Sequence, residues 1–280
     1  MRILVTGSEG LIGRRLVALL QEEGEDVVPF DVARGQDVQD EAALRRASGG
    51  CDAVVHLAAI VDQDADPVHT VRVNLQGTAN VLSAAREAGI PRVVYASSVN
   101  ALGVFQGEGR PDYLPLDDDH PCRPRSPYGL SKLRAEGLCA QLTERTGIST
   151  ICLRPPGVWE ETTYARIAAA RAADPAFEWS PWWEYGAFLD VRDCASAFAR
   201  AIHCADPGHI RLLLCAADIS TSGSTALELA ERLVPGVRIR DRASFAADPF
   251  RALIDARRAR QVLQWAPCHT WRDWMRESGA

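Results

Sequence analysis

Three features of this 280-residue sequence predict an α/β fold, a doubly wound parallel sheet with helices on both faces and a small C-terminal lobe. Short runs rich in Val, Ile and Leu alternate with helix-like stretches, a glycine-rich turn closes the first run, and Asp31 ends the second. Strands covered by helices on both faces read as near-continuous apolar runs, which is the pattern here.

The elements follow in order. Residues 2–6 read as a strand, 11–23 as a helix, 26–30 as a strand, 40–47 as a helix, 53–57 as a strand, 67–88 as a long helix and 92–96 as a strand. That alternation builds βαβ units. A further helix fits 127–146, where Leu130, Leu133, Leu138 and Leu142 give an apolar stripe, and 149–153 reads as another buried strand. Residues 99–125, rich in Gly, Pro and Asp, read as a long loop over the sheet edge where a ligand would sit. From residue 155 the pattern loosens, with prolines at 155, 156, 175 and 181 and tryptophans at 159, 179, 182 and 183. The expected division is 1–154 for the sheet with the helix 127–146, and 155–280 for the substrate-binding lobe. A segment near 186–215 is expected to return to the main sheet through a helix at 193–203 and a strand at 210–214.

An apolar content of 47% is enough for a full core. The 31 basic and 37 acidic residues leave a net charge of −6 with no block of like charges, so neither nucleic acid nor an anionic membrane is an expected partner. The chain enters its first strand at once, and no run reaches the roughly 18 apolar residues of a spanning helix, so a cytoplasmic protein is expected. No two of the eight cysteines are spaced C-x-x-C, and the neighbours His203/Cys204 and Cys268/His269 diverge, so they read as thiols in a reducing compartment rather than metal ligands.

Thr6-Gly7-Ser8-Glu9-Gly10-Leu11-Ile12-Gly13 follows a strand and opens an amphipathic helix, the context of a phosphate-binding turn in a Rossmann-type sheet. Gly7 makes the tight turn, Gly10 lets the backbone approach a pyrophosphate, and Gly13 lets helix and strand pack closely. The first helical turn, with Leu11 and Ile12, supplies N–H groups and a favourable dipole. Asp31 can accept hydrogen bonds from both ribose hydroxyls and repels a 2′-phosphate, which favours NAD over NADP, although nearby Arg34 blurs the preference.

Tyr128-Gly129-Leu130-Ser131-Lys132 sets a phenol and an amine one helical turn apart on one face. A tyrosine with a pKa of about 10 is a poor base at neutrality. An adjacent ammonium and a nicotinamide cation lower that value, so Tyr128 can take a hydroxyl proton as hydride leaves carbon. Lys132 is the only lysine in the chain. Arginine serves wherever positive charge alone suffices, and a broad guanidinium cannot replace a compact ammonium beside the phenol. Ser97-Ser98 end the strand 92–96 at the carboxyl edge of the sheet, and Ser98 is preferred as the hydroxyl that bridges the substrate oxygen and Tyr128.

With His56-Leu57-Ala58-Ala59, Asn74 and Gly77-Thr78, Tyr95-Ala96-Ser97-Ser98, Leu153-Arg154-Pro155-Pro156 and Asp190-Val191-Arg192-Asp193 added, the chain resembles the extended short-chain dehydrogenase/reductases, the NAD-dependent epimerase/dehydratase family, over most of its length. The resemblance implies that Leu57, Ala58 and Ala59 pass close to the cofactor, that Asn74 lies near it, and that Tyr128 and Lys132 face the nicotinamide ribose. It implies that Pro155 and Pro156 fix a loop against the carboxamide, and that Asp37 and Val38 lie where relatives hold the adenine amino group. A solvated Asp ahead of a helix is the competing reading of Asp37. A homodimer through 67–88 and 127–146 is also implied.

Departures from the family narrow the substrate. Family dehydratases carry Asp-Glu after the catalytic hydroxyl residue. Here Val99-Asn100 stand there, which argues against elimination and places both residues beside the substrate. Where nucleotide-sugar members grip the diphosphate with Arg-Asp, this chain reads Gly186-Ala187-Phe188-Leu189-Asp190. A free sugar, sugar acid or similar polyol is expected, and the Ser-Ser-x-Asn segment is similar to that of uronate dehydrogenases, with Asn100 on substrate hydroxyls. Trp159, Trp179, Trp182 and Trp183 either offer flat faces to a sugar ring, Trp159 foremost, or pack the lobe over the pocket. Arg154 and Arg192 either bind a substrate carboxylate or form ordinary ion pairs. The expected activity is an NAD-dependent dehydrogenase; the alternatives are an epimerase that retains NAD and a non-catalytic NAD sensor.

Overall fold

The computed structural model describes residues 1–61, 65–174, 177 and 185–279. In chain order the first half runs β1 (Arg2–Thr6), α1 (Leu11–Glu22), β2 (Asp26–Phe30), α2 (Glu41–Ser48), β3 (Ala53–His56), α3 (Pro67–Val71), α4 (Gly77–Glu87), β4 (Arg92–Ala96), α5 (Pro127–Thr146) and β5 (Ser149–Arg154). The second half adds β6 (Val158–Trp159), α6 (Glu161–Ala173), β7 (Leu189–Asp190), α7 (Val191–His203), β8 (His209–Leu213), α8 (Ala226–Leu233), α9 (Arg242–Ala247), α10 (Arg257–Leu263) and α11 (Trp271–Ser278). A π turn at Arg72–Gln76 joins α3 to α4.

Six strands form one parallel sheet in the order β2-β1-β3-β4-β5-β8. Alternate side chains leave opposite faces of a strand, so Ile3 and Val5 join Leu16 and Leu20 of α1 and Phe198 of α7 in one core layer. Leu4 joins Leu44 of α2, Val81 of α4 and Cys139 of α5 in the other. The sheet is therefore doubly wound, as the apolar runs predict. Strand order reverses at β1, which has β2 on one side and β3 on the other, and a crevice opens at the carboxyl ends of β1 and β3.

The chain beyond β5 supplies both sheet and lobe. β8 completes the sheet beside β5 after α7 has crossed it, whereas β7 pairs with β6 in a separate two-stranded sheet. A second core gathers Val99, Leu102, Phe105, Leu114 and Leu116 with Leu229, Phe245 and Leu253. Residues 99–116 are therefore not a loop lying on the surface: their apolar side chains form one wall of the lobe, and Leu114 and Leu116 bridge to Ile239 and Ile254. Sequence periodicity misses this because partners more than a hundred residues away make the core.

The expected leucine stripe of α5 is met only in part, since Leu138 and Leu142 pack against the core but no leucine of the four is fully buried. The buried residues are Gly129, Ser131, Lys132, Ala135, Glu136 and Cys139, while Leu130 is exposed and Leu133, Leu138 and Leu142 are half-buried. Among the described residues no helix is long and apolar enough to cross a membrane.

Candidate active site

A cleft of about 720 Å³ lies over the crevice between β1 and β3, and it brings together the glycine turn, the end of β2, the ends of β3 and β4, the start of α5 and the loop after β5. Each of the three glycines is bare for a different reason. Gly7 has φ +74°, and a Cβ there would lie 2.6 Å from the Ala58 nitrogen. A Cβ on Gly13 would lie 2.1 Å from the Gly7 carbonyl oxygen, so α1 could not approach the turn. At Gly10 the nearest atom is the Gly7 oxygen at 3.4 Å, so packing does not demand glycine there. Its bareness leaves the turn open on the cleft side. Gly10 caps α1 without a side-chain hydrogen bond, and the first turn of α1 holds no acidic residue. The N–H groups of Leu11, Ile12 and Gly13 have no intrahelical partners by geometry, which suits an anionic pyrophosphate.

At the adenosine end, Asp31 Oδ1 accepts from Ala33 N at 2.9 Å and Oδ2 from Glu9 N at 3.0 Å. These bonds fix the carboxylate at the cleft wall, and its remaining lone pairs can accept ribose hydroxyls. Asp37 and Val38 also line the cleft. Asp37 holds its own turn by accepting from Gln39 N at 2.9 Å, and the Val38 carbonyl accepts from Asn80. Leu57, Ala58, Ala59 and Pro155 line the same cavity.

The catalytic candidates meet at its other end. Ser126 caps α5 by accepting from Gly129 N at 3.2 Å and Pro127 stands in the first turn, so Tyr128 emerges where the helix begins. A Cβ on Gly129 would lie 2.6 Å from the Asn100 carbonyl oxygen, so α5 starts in contact with the turn that follows Ser98. Lys132 is 3% exposed; its Nζ donates to the Ala96 carbonyl at 2.7 Å and lies 5.5 Å from the centre of the Tyr128 ring. Burial pulls the ammonium down to about 7, and the Glu136 carboxylate partly opposes that. Ser98 Oγ accepts from Asn100 N at 3.1 Å, which leaves its O–H to point elsewhere. Ser97 also lines the cleft, but its hydroxyl is already engaged, donating to Glu136 Oε1 at 2.6 Å. Asn100 lines the cleft, and its Oδ1 is buried without a hydrogen-bond partner, an acceptor that a bound hydroxyl would satisfy.

Three expected site residues lie elsewhere. Val99 is fully buried in the lobe core and does not line the cleft, because the 3₁₀ turn at Val99–Leu102 sends successive side chains in different directions. Trp159 is 6% exposed and packs against Phe188 at 4.8 Å, Tyr164 at 5.3 Å and Trp271 at 6.0 Å between ring centres, so of the two tryptophan readings packing holds for it. Trp179, Trp182 and Trp183 lie outside the described residues. Asn74 does not line the cleft: it bonds Ile60 N and O at 2.8 and 2.9 Å and Ser131 Oγ at 3.2 Å, tying the loop after β3 to α5. Arg154 and Arg192 form ion pairs, with Glu136 at 2.6 Å and Asp190 at 2.8 Å respectively.

Sequence reasoning missed His69, Val73 and Gln106, which line the cleft, and Glu136, whose carboxylate gathers Arg154 and Ser97 beneath it. Glu136 was within reach, since it falls four residues after Lys132 on the same helical face. Gln106 had no periodic signal. Among the described residues no group of three His, Cys, Asp or Glu side chains could hold a metal ion.

Residues 3–212 match the model of the NAD dependent epimerase/dehydratase family. L-arabinose 1-dehydrogenase (NAD(P)(+)) of Haloferax volcanii is 38% identical over 167 residues, 55% of this chain and 65% of that one. Uronate dehydrogenase of Pseudomonas putida is 31% identical over 165 residues, 55% of this chain and 59% of that one. The aligned stretches thus span less than two thirds of these relatives. A crystal structure of a short-chain dehydrogenase/reductase superfamily protein from Agrobacterium tumefaciens with bound NAD superposes with a TM-score of 0.73 at 25% identity, covering 99% of this chain and 96% of that one. Because that family model matches well over half of the chain, from β1 through α5 and on into β8, the chain belongs to the NAD-dependent epimerase/dehydratase family.

Proposed function

We propose that the chain is an NAD-dependent oxidoreductase that moves hydride between the nicotinamide and a secondary hydroxyl or keto carbon of a sugar, sugar acid or similar polyol. The observation that carries this is the buried Lys132 ammonium at the cleft floor, 5.5 Å from the Tyr128 ring, with Ser98 and the unpartnered Asn100 Oδ1 on the same cavity. When bound, the nicotinamide supplies the hydride acceptor or donor. Gly7, Gly10, Leu11, Ile12, Gly13 and Asp31 would hold the pyrophosphate and adenosine ribose; Leu57, Ala58, Ala59 and Pro155 would flank the rest.

The protein's own part is a proton transfer. In oxidation the alcohol loses hydride from carbon and its O–H proton goes to the Tyr128 oxygen; in reduction the same proton returns. The Lys132 ammonium, fixed by the Ala96 carbonyl, stabilises the phenolate, and the Ser98 O–H stabilises charge on the substrate oxygen. Asn100 Oδ1 accepts from a second substrate hydroxyl. Among the described residues the carboxylates that line the cleft are Asp31 and Asp37, both at the adenosine end, so no acid–base pair for elimination flanks Tyr128.

A homodimer through 67–88, which holds α3 and α4, and α5 is part of this reading, supported by Val68 on α3 and Leu130 on α5, which stand 76% and 36% exposed. A cytoplasmic location is part of the same reading, supported by eight cysteines that form no disulfide among the described residues. The test is a screen of free aldoses, uronic acids and nucleotide sugars for absorbance at 340 nm, with mass spectrometry of cofactor released from the purified protein. NADH formation on a free sugar or uronate is expected. Tightly retained NAD with isomerised sugar and no net NADH would establish the epimerase instead, and silence on every substrate would remove the enzymatic reading.

A further inference from the structure

Beside the adenosine end of the cleft, outside its lining, stand charges joined to Asp31. Glu9, inside the glycine turn, accepts from Arg34 Nη1 through Oε1 at 2.7 Å. The Arg14 guanidinium donates to the Glu9 carbonyl. The Glu9 N–H donates to Asp31 Oδ2 at 3.0 Å. One residue therefore ties both arginines beside the turn and the Asp31 carboxylate to itself.

We infer that Glu9 is a coenzyme-specificity residue, whose carboxylate clamps Arg34 and so withholds that guanidinium from a 2′-phosphate. This rests on the dinucleotide reading above and deepens it: discrimination against NADPH comes from Glu9 as well as Asp31. Arg34 ends the 3₁₀ turn at Val32–Arg34 that Asp31 caps, and its N–H bonds the Asp31 carbonyl at 2.9 Å, so its backbone is fixed at the ribose edge. A guanidinium there is the group best suited to a phosphate, because its fork can donate two parallel hydrogen bonds. The Glu9 carboxylate occupies one of those donors, Nη1, and offsets the guanidinium charge. The pair is half-exposed, with Arg34 49% and Glu9 36% accessible, so it is screened by salt and released without breaking the core. Replacing Glu9 by glutamine removes one negative charge and frees one positive charge, while the main-chain bond to Asp31 remains.

The experiment titrates NADH and NADPH against the full chain, by calorimetry or by nicotinamide fluorescence, for wild type, Glu9→Gln, Arg34→Ala and the double variant. In Glu9→Gln the dissociation constant for NADPH is expected to fall about fivefold to tenfold, with that for NADH moving less than about twofold. The gain should vanish in the double variant and shrink at about 0.5 M salt. An unchanged NADPH affinity in Glu9→Gln overturns the clamp, as does the same gain in the double variant, which would make it a general charge effect. Wild type binding neither nucleotide overturns the dinucleotide reading, and the clamp with it.

Discussion

At the end of β3 an imidazole is enclosed: His56 is 1% exposed, with Nδ1 2.7 Å from Thr6 Oγ1 and Nε2 3.0 Å from Thr78 Oγ1. Burial, then the charge on Lys132, pulls its pKa down to about 3. In the unfolded chain the same group takes a proton at about 6.5. Between those values the unfolded state binds more protons, so this residue's contribution to stability is present above 6.5 and is lost as pH falls toward 3. Urea unfolding of wild type and His56→Asn at pH 7.5 and 5.0 checks this. Wild type is expected to lose about 2 kcal/mol more than the variant over that interval, and equal losses would contradict the account. This neutral imidazole also ties β1 to β3 below the glycine turn, so the sequence motif that places Leu57 and Ala58 near a cofactor has a structural member.

Residue identity was legible where a short motif dictates geometry and illegible where direction depends on a turn. Gly7 and Gly13 follow from sequence because the turn itself calls for them, through the positive φ of Gly7 and the close approach of Gly13 to the Gly7 carbonyl. Val99 and Asn100 do not, since only the 3₁₀ turn decides that one enters the lobe core and the other faces the cleft. Trp159 fails for a related reason, as its aromatic partners Phe188 and Trp271 come from distant segments.

At the scale of elements, α5 carries two unlike faces. One holds Lys132, Glu136 and Cys139 against the sheet, with Glu136 and Arg154 pairing almost wholly out of water. A buried pair of that kind contributes little net stability when intact but leaves an unpaired buried charge when broken, so losing either partner costs more than the pair gains. Leu130 stands exposed on the opposite face, whereas Leu138 and Leu142 are half-buried against a core layer. Sequence periodicity finds the helix and its leucines but not its most buried residues, because Lys132 and Glu136 owe their inward places to partners on β4 and β5. The exposed Leu130 is the residue that the proposed dimer would cover. Leu130→Glu is expected to shift the protein from dimer to monomer in size-exclusion chromatography with light scattering, with its far-ultraviolet dichroism unchanged. A wild type that is monomeric at tens of micromolar, or a variant that stays dimeric, would count against that interface.

For the whole molecule, the parallel sheet was readable because strands covered on both faces announce themselves as apolar runs, and the crevice follows from the strand-order reversal at β1. The lobe was expected, but its core was not readable: residues 99–116 carry no sustained periodicity and meet residues 213–254 in one core. Gln106 and Asn100, which follow β4, line the cleft together with Tyr128 and Lys132. The central claim, that Tyr128 moves the proton while Lys132 holds it charged, is independent of which substrate is bound. Its most direct measurement is the turnover of Tyr128→Phe on whichever sugar the wild type oxidises, alongside a titration of NADH binding. A loss of about 10²- to 10⁴-fold in kcat with NADH affinity within about threefold is the expected result. Turnover within about tenfold of wild type would contradict it.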